Sequence, residues 1–183
     1  DNRIYKALSR VLVKPGTVFL VDLKSIWDSI VKLCSQNHNC IQDKIDVITS
    51  LLNSTHNKLW RIIGIIDNTR NPNYLSLADR LGLRTIIMPK PLTEEELLIT
   101  LIKDEVSLII NYLLNKICSY RHRRSHRNIG KIVLLTGYTS TILPNLSRLP
   151  CIDNLVVGVV GNALRVDFNN YETVRGLKVF FIN

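Results

Sequence analysis

Val18-Phe19-Leu20-Val21-Asp22 decides the architecture: four large apolar residues in a row, then a carboxylate, then at once a helical pattern. An unbroken apolar run suits a strand covered on both faces, which is the condition of a parallel sheet. Working outward, Lys14-Pro15-Gly16 before it is a turn signal that closes a short N-terminal extension, 1–16. After it, Ile26, Trp27, Ile30, Val31 and Leu33 recur at helical spacing. A loop holding Asn37-His38-Asn39 leads to a second helical face of Ile41, Ile45, Ile48, Leu51 and Leu52, with Asp43 expected in its first turn.

The same alternation continues. Trp60 to Ile66 reads as a second strand ending at Asp67, and Pro72 is placed to start a helix that carries Tyr74, Leu77, Ala78 and Leu81 and stops near Gly82. Leu83 to Met88 reads as a third strand, followed by Pro89-Lys90-Pro91. Thr93 and Glu96 have capping-box spacing for another helix, and a long pattern runs from Asp104 through Val106, Ile110, Leu113, Leu114 and Ile117, with a break expected near Lys103. Residues 131–135 form a fourth strand, Pro144 is placed to start a short helix, and Leu155 to Val160 forms a fifth strand. Leu164 to Phe168 and Leu177 to Ile182 are strand-like as well. Strands separated by helices predict βαβ units, a mostly parallel central sheet and a three-layer α/β/α fold of the Rossmann-like kind.

The 183 residues fit a single domain spanning 1–183, and 46% hydrophobic with 21% charged residues is ordinary for a folded globule. No apolar run reaches the roughly 18 residues that span a bilayer, and no signal-peptide pattern opens the chain. The expectation is an intracellular protein (cytoplasmic or inside an organelle) with no membrane contact. The formal net charge is +9, which favours polyanionic partners, nucleic acid first and an anionic membrane surface second. Part of that excess sits in Arg121-His122-Arg123-Arg124-Ser125-His126-Arg127, read as a basic loop over 121–130. Arginine forks match phosphate oxygens, so Arg121, Arg123, Arg124 and Arg127 are candidate phosphate contacts.

Several chemistries lack their motifs. The loops after the strands hold neither GxGxxG nor a Walker glycine pattern, and the chain has no GxSxG elbow. His38, His56, His122 and His126 fall in loops or the basic run with no partner in register. The cysteines are Cys34, Cys40, Cys118 and Cys151, and none pairs with zinc-ligand spacing. Reduced thiols are expected, with Cys118 in the core.

What remains are carboxylates at strand ends and at a helix start. Ligands bind at the carboxyl ends of parallel strands. Asp22 ends the first strand, Asp67 the second, and Asp104 begins the long helix, so Asp22 and Asp104 are expected to converge, with Asp67 or Glu105 as a further acid. Such a set would hold Mg²⁺ or Mn²⁺ and activate water against a phosphodiester. Asp104 reads equally as a helix N-cap, and Asp67 as an Asx-turn.

These segments together resemble the NYN branch of the PIN-like nuclease superfamily. The resemblance rests on Val18 to Trp27, on Leu77 to Pro89, on Lys103 to Leu108 and on Ile132 to Ser140, in that order, across about residues 17 to 160. It implies that Asp22 and Asp104 match two family acids. It also implies departures: Ser25 stands at the family's asparagine, Asn111 near a further acid, and Tyr138 and Ser140 at the two acids of the fourth-strand motif. With so little negative charge, a working pair of metal ions is not expected.

The resulting expectation is a nucleic-acid-binding PIN-like domain without catalysis, or with only weak catalysis, that takes RNA ahead of DNA. Lys24, Tyr138 and the four arginines are its candidate contacts, and it needs no cofactor. The alternatives are a Mg²⁺- or Mn²⁺-dependent endoribonuclease built on Asp22, Asp104 and Asp67, or a structural protein–protein interaction subunit. By resemblance, a homodimer or a partner in a larger assembly is also expected. Tyr138 is the favoured base platform, and Trp27 is read as a half-buried helix residue.

Overall fold

Six strands run parallel in the order β3-β2-β1-β4-β5-β6: β1 Val18–Asp22, β2 Ile62–Ile65, β3 Thr85–Ile87, β4 Ile132–Thr136, β5 Leu155–Val160 and β6 Lys178–Ile182. The structure is a computed structural model that describes residues 17–53, 62–67, 71–88, 105–124, 131–137, 152–161 and 178–182. Four helices accompany the strands in that part: α1 Leu23–Cys34, α2 His38–Asn53, α3 Pro72–Arg80 and α4 Glu105–Arg124. The predicted α/β architecture is therefore the one observed.

Alternate residues of each strand point to opposite faces, and both faces are covered. Val18 and Leu20 of β1 pack with Ile63, Ile65, Leu134 and Val157 against Val106, Ile110, Leu113, Leu114 and Ile117 of α4. Phe19 and Val21 pack on the other side with Ile26 and Ile30 of α1, Ile45 and Ile48 of α2, and Leu77 and Ala78 of α3. The result is three layers, with β1 at the centre and Val18 to Val21 all buried. Full burial of each such side chain contributes about 1.5–3 kcal/mol, which is why an unbroken apolar run suits a strand covered on both faces.

Local signals explain the boundaries. Asn71 caps α3 by accepting from the Asn73 amide at 2.9 Å, Pro72 occupies the first turn, and Gly82 at φ 72° ends it. There the Leu83 amide bonds the Ala78 carbonyl at 3.0 Å. Leu83 thus belongs to the helix-ending turn, so β3 is shorter than the predicted Leu83 to Met88. Asn37 caps α2 by accepting from the Asn39 and Cys40 amides. His38 accordingly opens a helix instead of lying in a loop, and Asp43 falls in the second turn, beyond the first.

Two other expectations change. Helix α4 continues through Arg124, so Arg121, His122, Arg123 and Arg124 are helical and do not begin a loop. Cys34 and Cys40 are joined in a disulfide across the α1–α2 turn, with Cα atoms 5.5 Å apart, and Cys118 is disulfide-bonded too. Reduced thiols were the wrong expectation: three connecting residues bring the end of one helix against the first turn of the next. Cys118 is fully buried, as expected. The helices expected at Thr93 and Pro144, the break near Lys103, the strand over 164–168 and the extension 1–16 lie outside the described residues.

Candidate functional site

The strand order reverses between β1 and β4, because the chain moves outward from β1 through β2 to β3 and then returns to the far side of β1. The carboxyl ends flanking such a reversal form the crevice where open α/β sheets bind ligands. Here those ends supply Asp22 and Thr136, and the residues just beyond them are Leu23 to Ser25 and Gly137.

Asp22 is only 3% exposed and is the N-cap of α1. Its Oδ1 accepts from the Ser25 amide at 3.2 Å. Its Oδ2 accepts from the Thr136 hydroxyl at 3.3 Å. With that proton directed at Asp22, Thr136 Oγ1 is left to accept from Ser25 Oγ, 3.1 Å away. Ser25 Oγ in turn accepts from the Gly137 amide at 2.8 Å. Ser29, one turn further along α1, donates to the Gly137 carbonyl at 3.4 Å. Ser25, Thr136 and Asp22 are all buried, so each of these bonds offsets a desolvation cost that water would otherwise cover.

The crevice is therefore closed by hydroxyls. Gly137 makes the closure possible: a Cβ there would sit 2.2 Å from the Ser25 carbonyl oxygen and 2.2 Å from Ser29 Oγ. A glycine that cannot cradle a pyrophosphate alone has a different task here, which is to let β4 approach the first turn of α1.

Asp67 lies two residues past the end of β2, on the same edge, and is 8% exposed. Lys24 Nζ stands 3.5 Å from its Oδ2, so this carboxylate has a cation beside it. Lys24 is thereby engaged in an ion pair, which weakens its candidacy as a phosphate contact. Tyr74 of α3 donates to Asp28 of α1 at 3.2 Å and holds those helices together below the edge.

A divalent ion does not fit the described residues. Among the described residues no three His, Cys, Asp or Glu side chains gather to hold it, and both Asp22 oxygens already accept hydrogen bonds, from the capping amide and from the Thr136 hydroxyl. Asp104, Tyr138 and Arg127 lie outside the described residues, as does the expected meeting of Asp22 with Asp104. Arg121, Arg123 and Arg124 end α4, which returns the chain towards the start of β4 and hence towards the opposite edge from Asp22. The predicted site residues that are described thus fall on two edges, separated by the length of β4, about 16 Å. Ser29 escaped the sequence reading; its signal was the four-residue spacing from Ser25, which places both on one helix face.

No protein-family model matches this chain, and neither a curated protein nor a solved structure does. No described helix is long and apolar enough to cross a membrane.

Proposed function

We propose that the chain is a PIN-like nucleic-acid-binding domain that holds single-stranded RNA without cutting it. The observation that carries this reading is the engagement of Asp22: both of its oxygens accept hydrogen bonds at the switch point, one from the first turn of α1. Metal-dependent phosphodiester hydrolysis needs carboxylates free to coordinate and to offset the charge of the ions. Here the described residues of the edge offer hydroxyls and an aspartate beside Lys24. The net charge of +9 supports a polyanionic partner. Of the intracellular settings, the Cys34–Cys40 bridge favours an oxidising organelle interior over the cytosol.

The test is fluorescence anisotropy of a labelled single-stranded RNA over a salt series, run beside a cleavage assay with Mg²⁺ and with Mn²⁺. Affinity should fall linearly on a log–log salt plot, with a slope of roughly −0.7 per phosphate contact, while the RNA stays intact. Metal-dependent cleavage that disappears in Asp22→Asn would replace this reading with the endoribonuclease one.

A further inference from the structure

Positive side chains among the described residues collect where the strands begin. Lys32 is in the last turn of α1, Arg80 ends α3, Arg84 precedes β3, Lys131 precedes β4 and Lys178 opens β6. All five are exposed. Since α1 starts at the carboxyl end of β1 and α3 ends just before β3, Lys32 and Arg80 share the amino edge with Arg84, Lys131 and Lys178. The acids at the same end are Asp79 beside Arg80, Asp153 in the turn before β5 and Asp43 in the second turn of α2. From β3 to β6 this edge spans five strand spacings, about 24 Å.

The same end of the helical layer holds a groove of about 560 Å³ between α1, α2 and the end of α3. Trp27 and Val31 of α1, Ile41 and Gln42 of α2, His38 and Arg80 line it. Trp27 is half-buried and packs on the core beneath. The Arg80 guanidinium donates to the Gln42 amide oxygen at its rim. An indole with aliphatic neighbours, an amide and a guanidinium at the mouth is the chemistry that accepts an unstacked base with its phosphate outside.

Resting on the nucleic-acid reading above, we infer that single-stranded RNA runs along the amino edge of the sheet, its phosphates on Arg80, Arg84 and Lys131 and one base stacked on Trp27. The hydroxyl-closed carboxyl edge takes no part. This relocates the contact surface to the edge opposite the one that strand-end chemistry suggests.

The experiment titrates labelled single-stranded RNA into the full chain carrying Trp60→Phe, so that Trp27 is the sole indole, and follows anisotropy and tryptophan emission together. An oligomer with abasic sugars serves as the control. Base-containing RNA should quench Trp27 with the same midpoint as the anisotropy, and the abasic oligomer should not. The triple variant Arg80→Glu, Arg84→Glu, Lys131→Glu should lose affinity at least tenfold and flatten the log–log salt slope by about 2. Trp27→Leu, checked for folding by circular dichroism, should weaken binding roughly five- to a hundredfold. Asn73→Glu, at the exposed start of α3 on the carboxyl edge, should leave affinity unchanged. Anisotropy that responds while emission, the triple variant and the salt slope do not would overturn this placement and leave RNA binding standing. Absence of any RNA binding would overturn both.

Discussion

Gly137 donates its backbone amide to the Ser25 hydroxyl at 2.8 Å, and that bond ties the end of β4 to the first turn of α1 across the point where the strand order reverses. The contact depends on the missing side chain. Gly137→Ala forces a methyl into the Ser25 carbonyl, so we expect a loss of roughly 1–3 kcal/mol as the helix is pushed off the strand. Urea denaturation of the variant checks it. An unchanged midpoint would mean that β4 and α1 do not meet this closely.

Asp22 acts as a cap, and its two simplest replacements should therefore separate. Asparagine caps as well as aspartate does, and Thr136 can turn its hydroxyl to accept from the new amide and donate to Ser25. Asp22→Asn should change stability by less than about 1 kcal/mol. Asp22→Ala loses the cap and leaves Thr136 without this acceptor, at a cost of about 2 kcal/mol. Equal destabilisation by both variants would point to a role for the negative charge that capping does not supply.

The Cys34–Cys40 bridge closes a short loop, with a sequence separation of 6. Loop-closure entropy for so few residues is about 2 kcal/mol. Replacing both cysteines by alanine should lower the unfolding free energy by about that much while Cys118 keeps its own bond. Comparing melts of the double variant and the parent, both without reductant, isolates the bridge: a melt identical to that of the parent would show that α1 and α2 hold their turn without it.

Ser35 and Gln36 in that turn both have positive φ, 47° and 66°. Neither side chain is suited to the left-handed region, where glycine has no steric penalty. Gln36→Gly should therefore stabilise the protein, by up to about 1 kcal/mol, with the gain reduced by the extra freedom of the unfolded chain. A calorimetric melting temperature below that of the parent would contradict this.

The parallel sheet is legible in Val18 to Val21 and in Leu155 to Val160 because both faces of those strands are buried, and burial on both faces leaves an unbroken apolar run. The start and stop of α3 are legible for a similar reason: Asn71, Pro72 and Gly82 act through local backbone geometry, which needs no distant partner. Asp22 at the end of β1 is legible too, but its task is not. A carboxylate followed three residues later by a serine is compatible with coordination or with capping. Choosing between them takes Thr136, which is 114 residues away in the chain and 3.3 Å away in space.

The disulfide, the closing of the crevice by Gly137 and the separation of charge between two edges all depend on contacts between segments far apart or on which way a helix returns. Hydropathy and spacing record what each residue must do for its own strand or helix. They carry no record of which strand end faces which helix, and that arrangement alone sets Asp22 and Asp67 on one side of the sheet and exposed Lys32, Arg80, Arg84, Lys131 and Lys178 on the other.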